Sequence, residues 1–175
     1  MSKTKEDFEA LRDAITVRVK VIEVLKNLLR QAQKRAEKLD VSLVNALEEE
    51  KDDIKEQKRE ENVNIRIIDK EIDTLYIAGA NLTGALRTAN TIYPDIKQPY
   101  GLNEVKERRI WMDRALGACN VLLDELQMIA VAVYADKNKF TPLCLEIKTL
   151  FLKIKKVRQA DNRFLEEGGS VISKD

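Results

Sequence analysis

Six cations crowd one short stretch of this 175-residue chain: Lys148, Lys153, Lys155, Lys156, Arg158 and Arg163. Cations gathered on a solvated helix neutralise phosphates, with an affinity that falls steeply as salt rises. The same residues also suit an ordinary solvated face running toward a helix C-terminus. A second basic group, Lys106, Arg108, Arg109 and Arg114, surrounds Trp111 and follows Tyr100. Arginine beside an aromatic can stack on a base or clamp a phosphate. Alternatively, Trp111 is a core residue and the arginines pair with Glu104, Glu107 and Asp113. Arg108 and Arg109 join the six as candidate nucleic-acid contacts.

Other chemistry is harder to assemble. The chain has no histidine, which removes the commonest general base, the commonest metal ligand and the pH switch nearest neutrality. Serine and cysteine triads and Cys/His zinc sites therefore cannot form. Asp69 with Asp73, and Glu104 with Glu107, lie at helical spacings that put each pair on one face, a geometry a divalent ion can use. Di-iron bundles, however, need Glu-x-x-His repeats, and acidic residues are frequent enough here for such pairs to arise by chance. No glycine-rich phosphate loop is present, and no nucleophile sits with a base. The expectation is a non-enzymatic protein without metal or cofactor. Cys119 and Cys144 fall in apolar helical patterns, where an intracellular thiol acts as a small buried hydrophobe.

The elements that position these groups follow from composition and periodicity. Six glycines and three prolines among 175 residues are few, and Leu, Ile, Ala, Glu and Lys abound, as in long helices. Thr4 can cap a first helix whose apolar stripe is Phe8, Leu11, Ile15, Ile22, Leu25, Leu29, Ala32, Ala36 and Leu39, interrupted by Arg18. Asp40 can cap a second run. Within it, residues 48–62 carry twelve charges in fifteen positions, so core packing must stop there, and like-sign i,i+4 pairs oppose helix formation. A break or a solvated protrusion is expected near 48–62. The stripe resumes at Ile65, Ile68, Ile72, Leu75, Leu82, Leu86 and Ala89, with Gly79 at a core position that permits close approach. Residues 93–101, with Pro94 and Pro99, read as a loop.

A third helix carries Val105, Met112, Ala115, Cys119, Leu122, Leu126, Ile129 and Val133 at heptad spacing, widened by Trp111, Leu116, Leu123 and Ala130. Thr141 as N-cap and Pro142 as first helical residue open the fourth. Leu143, Ile147, Leu150, Ile154, Val157 and Phe164 face its core, and Gly168-Gly169 end it. The fold class is all-α, an antiparallel four-helix bundle with a long charged excursion between helices 1 and 2. Its one domain covers residues 1–167, with helices at about 5–39, 41–92, 103–135 and 142–166, and 168–175 form a tail.

Net charge is only +1, from 31 Lys and Arg against 30 Asp and Glu, but it is unevenly spread. Residues 41–80 carry −5 and residues 137–163 carry +6. The total argues against uniform coating of nucleic acid and permits a local contact. The N-terminus is charged from its third residue and has no apolar core of a secretory signal, so a cytoplasmic protein is expected. The longest apolar run, 128–135, is eight residues, short of the ~18 of a membrane span, and no membrane insertion is expected.

Glu107-Arg108-Arg109, followed by Ala115, Cys119-Asn120, Leu122-Leu123 and Glu125-Leu126-Gln127, resembles the central motif of the four-helix-bundle family that includes the accessory variability determinant proteins of diversity-generating retroelements. Thr88-Ala89-Asn90 resembles the Glu-Ala-Asn that ends the family's second helix. Residues 155–162 resemble the end of its fourth, keeping Arg158, Asp161 and Asn162 and departing at Val157, Gln159 and Ala160. The likeness covers residues 75–165, and residues 1–62 do not visibly match. The resemblance implies a pentameric barrel with basic surfaces that partners a reverse transcriptase, binds template RNA or DNA, and supports mutagenic complementary-DNA synthesis. A different reading stays open beside it: a structural or regulatory bundle that oligomerises through exposed apolar faces and touches no nucleic acid.

Overall fold

The computed structural model describes residues 5–92, 102–133 and 137–166, and every element among them is helical. Helix α1 spans Lys5–Asn45 and α2 spans Lys51–Thr91. Helix α3 spans Leu102–Ala132 and α4 spans Lys137–Glu166. Each helix packs on its neighbours in a closed circuit, α1 on α2, α2 on α3, α3 on α4 and α4 back on α1. Cross-helix ion pairs give the register. Asp13 meets Lys153 and Lys20 meets Glu146 between α1 and α4, while Arg35 meets Glu61 and Asp40 meets Lys58 between α1 and α2. In both interfaces one number rises as the other falls, so the paired helices are antiparallel. The chain is an all-α antiparallel four-helix bundle.

The heptad stripes of the last three helices form the core. On α3 Val105, Met112, Ala115, Cys119, Leu122, Leu126 and Ile129 are buried, as is Val133 just past its end, and on α4 Leu143, Ile147, Leu150, Ile154 and Val157 are buried. They meet Ile68, Leu75, Leu82, Leu86 and Ala89 of α2. Trp111, Leu116, Leu123 and Ala130 lie partly buried along the flank of this core. Burying one such leucine stabilises by about 2 kcal/mol.

Helix α1 departs from its expected stripe. Its buried residues are Ala10, Ala14, Val17, Val21, Leu25, Ala32 and Ala36, while Ile15 is 45% exposed. The inward seam of its first half is thus rotated toward the alanines, which let the α1 backbone come close to its neighbours. The larger Leu11, Ile22 and Leu29 sit partly buried at the edges. Arg18 is no interruption, because its stem crosses Gly79 of α2, where a Cβ would stand 2.8 Å from Arg18 Cγ. Its guanidinium lies 4.8 Å from the centre of the Tyr76 ring. Gly79 is a close-approach position, and the group it admits is an arginine stem.

The connection between α1 and α2 also differs from expectation. Helix α1 runs through Asp40 to Asn45, the chain reverses through a 3-10 turn at Glu48–Glu50, and α2 is then continuous across the charged segment. At the turn the Glu50 backbone N–H donates to the Leu47 carbonyl at 3.0 Å. The like-sign repulsion is offset by Lys51 with Glu48 and Lys55 with Asp52 at i,i+3, and by the Arg35–Glu61 and Lys58–Asp40 pairs between helices. Half-buried Leu39, Leu43, Ile54 and Ile65 supply a narrow two-helix seam. With 41 residues each, α1 and α2 run about 15 Å beyond the 31 and 30 residues of α3 and α4. The excess is a projecting charged hairpin.

Helix α4 includes Lys137 to Glu166, so Thr141 is not its cap and Pro142 lies in its second turn. The proline forfeits one early backbone bond, and the added turn places Phe140 in the core. The expected cap at Thr4, the loop at 93–101 and the Gly168-Gly169 terminus fall outside the described residues, as does the side chain of Phe164. Helix α3 is more apolar than the eight-residue run suggested. By length and composition it could cross a membrane, with a mean hydropathy of 1.4 over an 18-residue window of which 33% is buried. Much of its apolar surface therefore faces outward.

Candidate nucleic-acid interface

Seven of the eight candidate cations fall into three groups once their partners are placed, and Arg109 stands apart from them. Arg108 is 1% exposed and donates from Nη1 to Asp161 Oδ1 at 2.6 Å. It cannot reach a phosphate without leaving the core, which removes it from the nucleic-acid set. The heptad spacing carried the signal. Arg108 occupies the seam position between Val105 and Met112, and Asp161 the position after Val157, so the two charges face one another across the α3–α4 core. Breaking such a pair leaves an uncompensated buried charge.

Lys153 and Arg158 form the second group. Lys153 donates to Asp13 of α1, and Arg158 donates to Asp113 of α3 from Nε and, at 3.2 Å, from Nη2. They lie on opposite shoulders of α4, each turned toward the neighbouring helix. A phosphate would have to displace a carboxylate to engage either. Arg109, on α3, is half-buried.

Lys148, Lys155, Lys156 and Arg163 form the third group. All four are exposed, and none has an ion-pair partner among the described residues. At 100° per residue they share the arc of α4 directly away from the core, together with Leu145 and Leu152. From Lys148 to Arg163 the row extends about 22 Å along the helix. Among the described residues no aromatic accompanies it on that face, so the row can grip a charged backbone but offers no platform for stacking bases.

The Trp111 cluster is arranged differently. Trp111 is partly buried at the α2–α3 edge, and the Arg114 guanidinium lies 4.3 Å from its ring centre. Both border a groove of about 700 Å³ whose α2 wall includes Ile77, Ala78, Gly84 and Ala85. The indole face is thus already covered by an arginine.

Elsewhere in the bundle a carboxyl and two thiols have shifted titration. Glu71 of α2 is held above the ordinary carboxylate range, first by burial and then by hydrogen bonding to, and repulsion from, Glu125 of α3. Lys70 acts the other way. Burial pushes the Cys119 thiol up to about 12 and raises that of Cys144 as well. Both cysteines are free. Asp69, Asp73 and Glu107 are exposed, and among the described residues no three Cys, Asp or Glu gather as an ion site.

Comparison of the chain with protein-family models, with curated proteins and with solved structures gives no match. The functional reading therefore stands on the geometry and charge of the bundle itself.

Proposed function

We propose that this protein is a non-enzymatic helical bundle that binds RNA or DNA through the outer face of α4 as an accessory to a reverse transcriptase inside the cell. The observation that carries the reading is the row of exposed cations at Lys148, Lys155, Lys156 and Arg163, which share one outward face of α4 and have no ion-pair partner among the described residues. Such a row contacts phosphates with little regard to sequence. The resemblance of residues 75–165 to the accessory variability determinant proteins supports the link to a diversity-generating retroelement. The projecting hairpin, with Glu48, Glu49, Glu50, Asp52, Asp53 and Glu56 exposed near exposed Val44 and Leu47, offers an acidic surface to a basic protein such as a polymerase.

The test is a fourfold charge reversal, Lys148→Glu, Lys155→Glu, Lys156→Glu and Arg163→Glu, measured by fluorescence anisotropy with a single-stranded RNA oligonucleotide. Binding at moderate salt is lost while helicity and thermal midpoint stay near wild type. Binding that survives the reversal would sink the reading.

A second reading, an oligomerising structural bundle, is favoured by a separate observation. The apolar residues Ile110, Val121, Met128 and Val131 are exposed together on the outward side of α3.

A further inference from the structure

Helix α3 carries a second heptad seam on the side opposite its core. Positions 110, 114, 117, 121, 124 and 128 alternate spacings of four and three, and all are exposed. They hold Ile110 (54% exposed), Arg114, Gly117, Val121 (42%), Asp124 and Met128 (61%). Three of the six are apolar and exposed, at the spacing by which one helix meets a partner helix.

Three features of the seam have no explanation within one chain. Gly117 lies inside a helix, where glycine costs about 1 kcal/mol relative to alanine, yet a Cβ there would meet nothing within 4 Å. Arg114 and Asp124, the two charges in the seam, have no ion-pair partner among the described residues. Finally, Ile110, Val121 and Met128 leave large apolar side chains open on this face.

The seam is also complementary to itself. Each member lies as far before residue 119 as its counterpart lies after it. Laid antiparallel on a second copy about a two-fold axis at that level, Ile110 meets Met128, Arg114 meets Asp124, and Gly117 meets Val121. An apolar layer, a charged layer and a small-against-branched layer are each generated twice, as a closed isologous contact requires. The Trp111 ring holds the Arg114 guanidinium at the seam, the glycine leaves room for the valine, and both unmatched charges gain a partner. In the next layer outward Val131 faces Glu107, at the rim.

We propose that the outward face of α3 is a dimer interface with a second copy of this chain, antiparallel and centred on residue 119. The proposal rests on the second reading above, oligomerisation through α3, and is independent of nucleic-acid binding by α4. It replaces the five-fold ring that the family resemblance implies with a pair.

The test is the mass in solution of the full chain, by light scattering at roughly 100 μM, above the micromolar range of a modest interface. Wild type gives twice the chain mass of 20.1 kDa. Arg114→Asp alone and Asp124→Arg alone each weaken dimerisation at least tenfold by opposing like charges. The double variant Arg114→Asp/Asp124→Arg, which swaps both layers, restores it. Ile110→Cys/Met128→Cys, whose cysteines lie about 27 Å apart on one helix and cannot join within a chain, forms an interchain disulfide under mild oxidation. Circular dichroism of each variant separates lost association from lost fold. A monomer, a five-fold species or partition into neutral lipid vesicles would overturn the proposal and the dimeric form of the second reading together. A dimer that ignores the charge swap and fails to cross-link overturns this register alone.

Discussion

The projecting hairpin and the outer face of α4 are both dense in charge, and they use it in opposite ways. In the hairpin, four cations meet carboxylates, Lys51 with Glu48, Lys55 with Asp52, Lys58 with Asp40 and Arg35 with Glu61, while Glu49, Glu50, Asp53 and Glu56 stay exposed. Lys55 holds the fully exposed Asp52 below the ordinary carboxylate range. On α4 the sorting is by direction. Charges turned toward α1 and α3 are matched, at Lys153 with Asp13, Arg158 with Asp113 and, deepest, Arg108 with Asp161. Charges turned outward are not. A count of charged residues therefore does not distinguish the faces of α4, whereas the pattern of pairing does.

This contrast can be broken most forcefully at its buried end. Asp161→Ala removes the carboxylate that Arg108 meets in the core and lowers unfolding stability by about 3–5 kcal/mol, as for other buried pairs that lose one member. Urea denaturation reads the loss, and Arg108→Met/Asp161→Leu recovers most of it. On the shoulders of α4, Lys153→Ala and Arg158→Ala act on partly exposed pairs and cost no more than about 1 kcal/mol each. They leave RNA affinity within about twofold, since those cations are already engaged.

Smaller effects belong to the hairpin and to the α2–α3 edge. Lys58→Ala changes stability by at most about 0.5 kcal/mol in chemical melts, because its pair with Asp40 is largely solvated. Glu71→Gln moves stability the other way. The folded pKa of Glu71 lies above its ordinary 4.5, so wild-type stability from this group is fully present below that value and declines as pH rises through the raised one. Glutamine does not titrate, so the variant gains about 0.5 kcal/mol at neutral pH, the scale of a relieved like-charge contact. That gain disappears below about pH 4, where the Glu71 carboxyl is protonated and carries no charge for glutamine to relieve. Stability measured at several pH values checks both magnitude and sign.

Much of the fold was readable from periodicity, because α2, α3 and α4 bury large apolar residues in one heptad register. Helix α1 was harder, since its seam is built from Ala10 and Ala14, and alanine is weak as a hydrophobic signal while Ile15 beside it is strong. The extent of α2 was obscured by like-sign neighbours whose opposing partners, Asp40 and Arg35, lie on another helix. The candidate site was legible as a cluster but not as a surface. Arg108 looked like a member of a basic patch, and only its seam position, shared with Asp161, betrays that it faces inward. The division of α4 into matched and unmatched cations depends on Asp13 and Asp113, whose proximity follows from register and cannot be read along the chain.

The claim that the leftover cations of α4 form a phosphate-binding face is tested most directly by salt. In a titration of single-stranded RNA against the full chain, log affinity should fall linearly with log salt with a slope of about −3, from roughly four phosphate contacts at ~0.7 each. The charge-reversed α4 variant should show no measurable binding across the same range. A slope near zero, or wild-type affinity that the variant retains, would contradict the account.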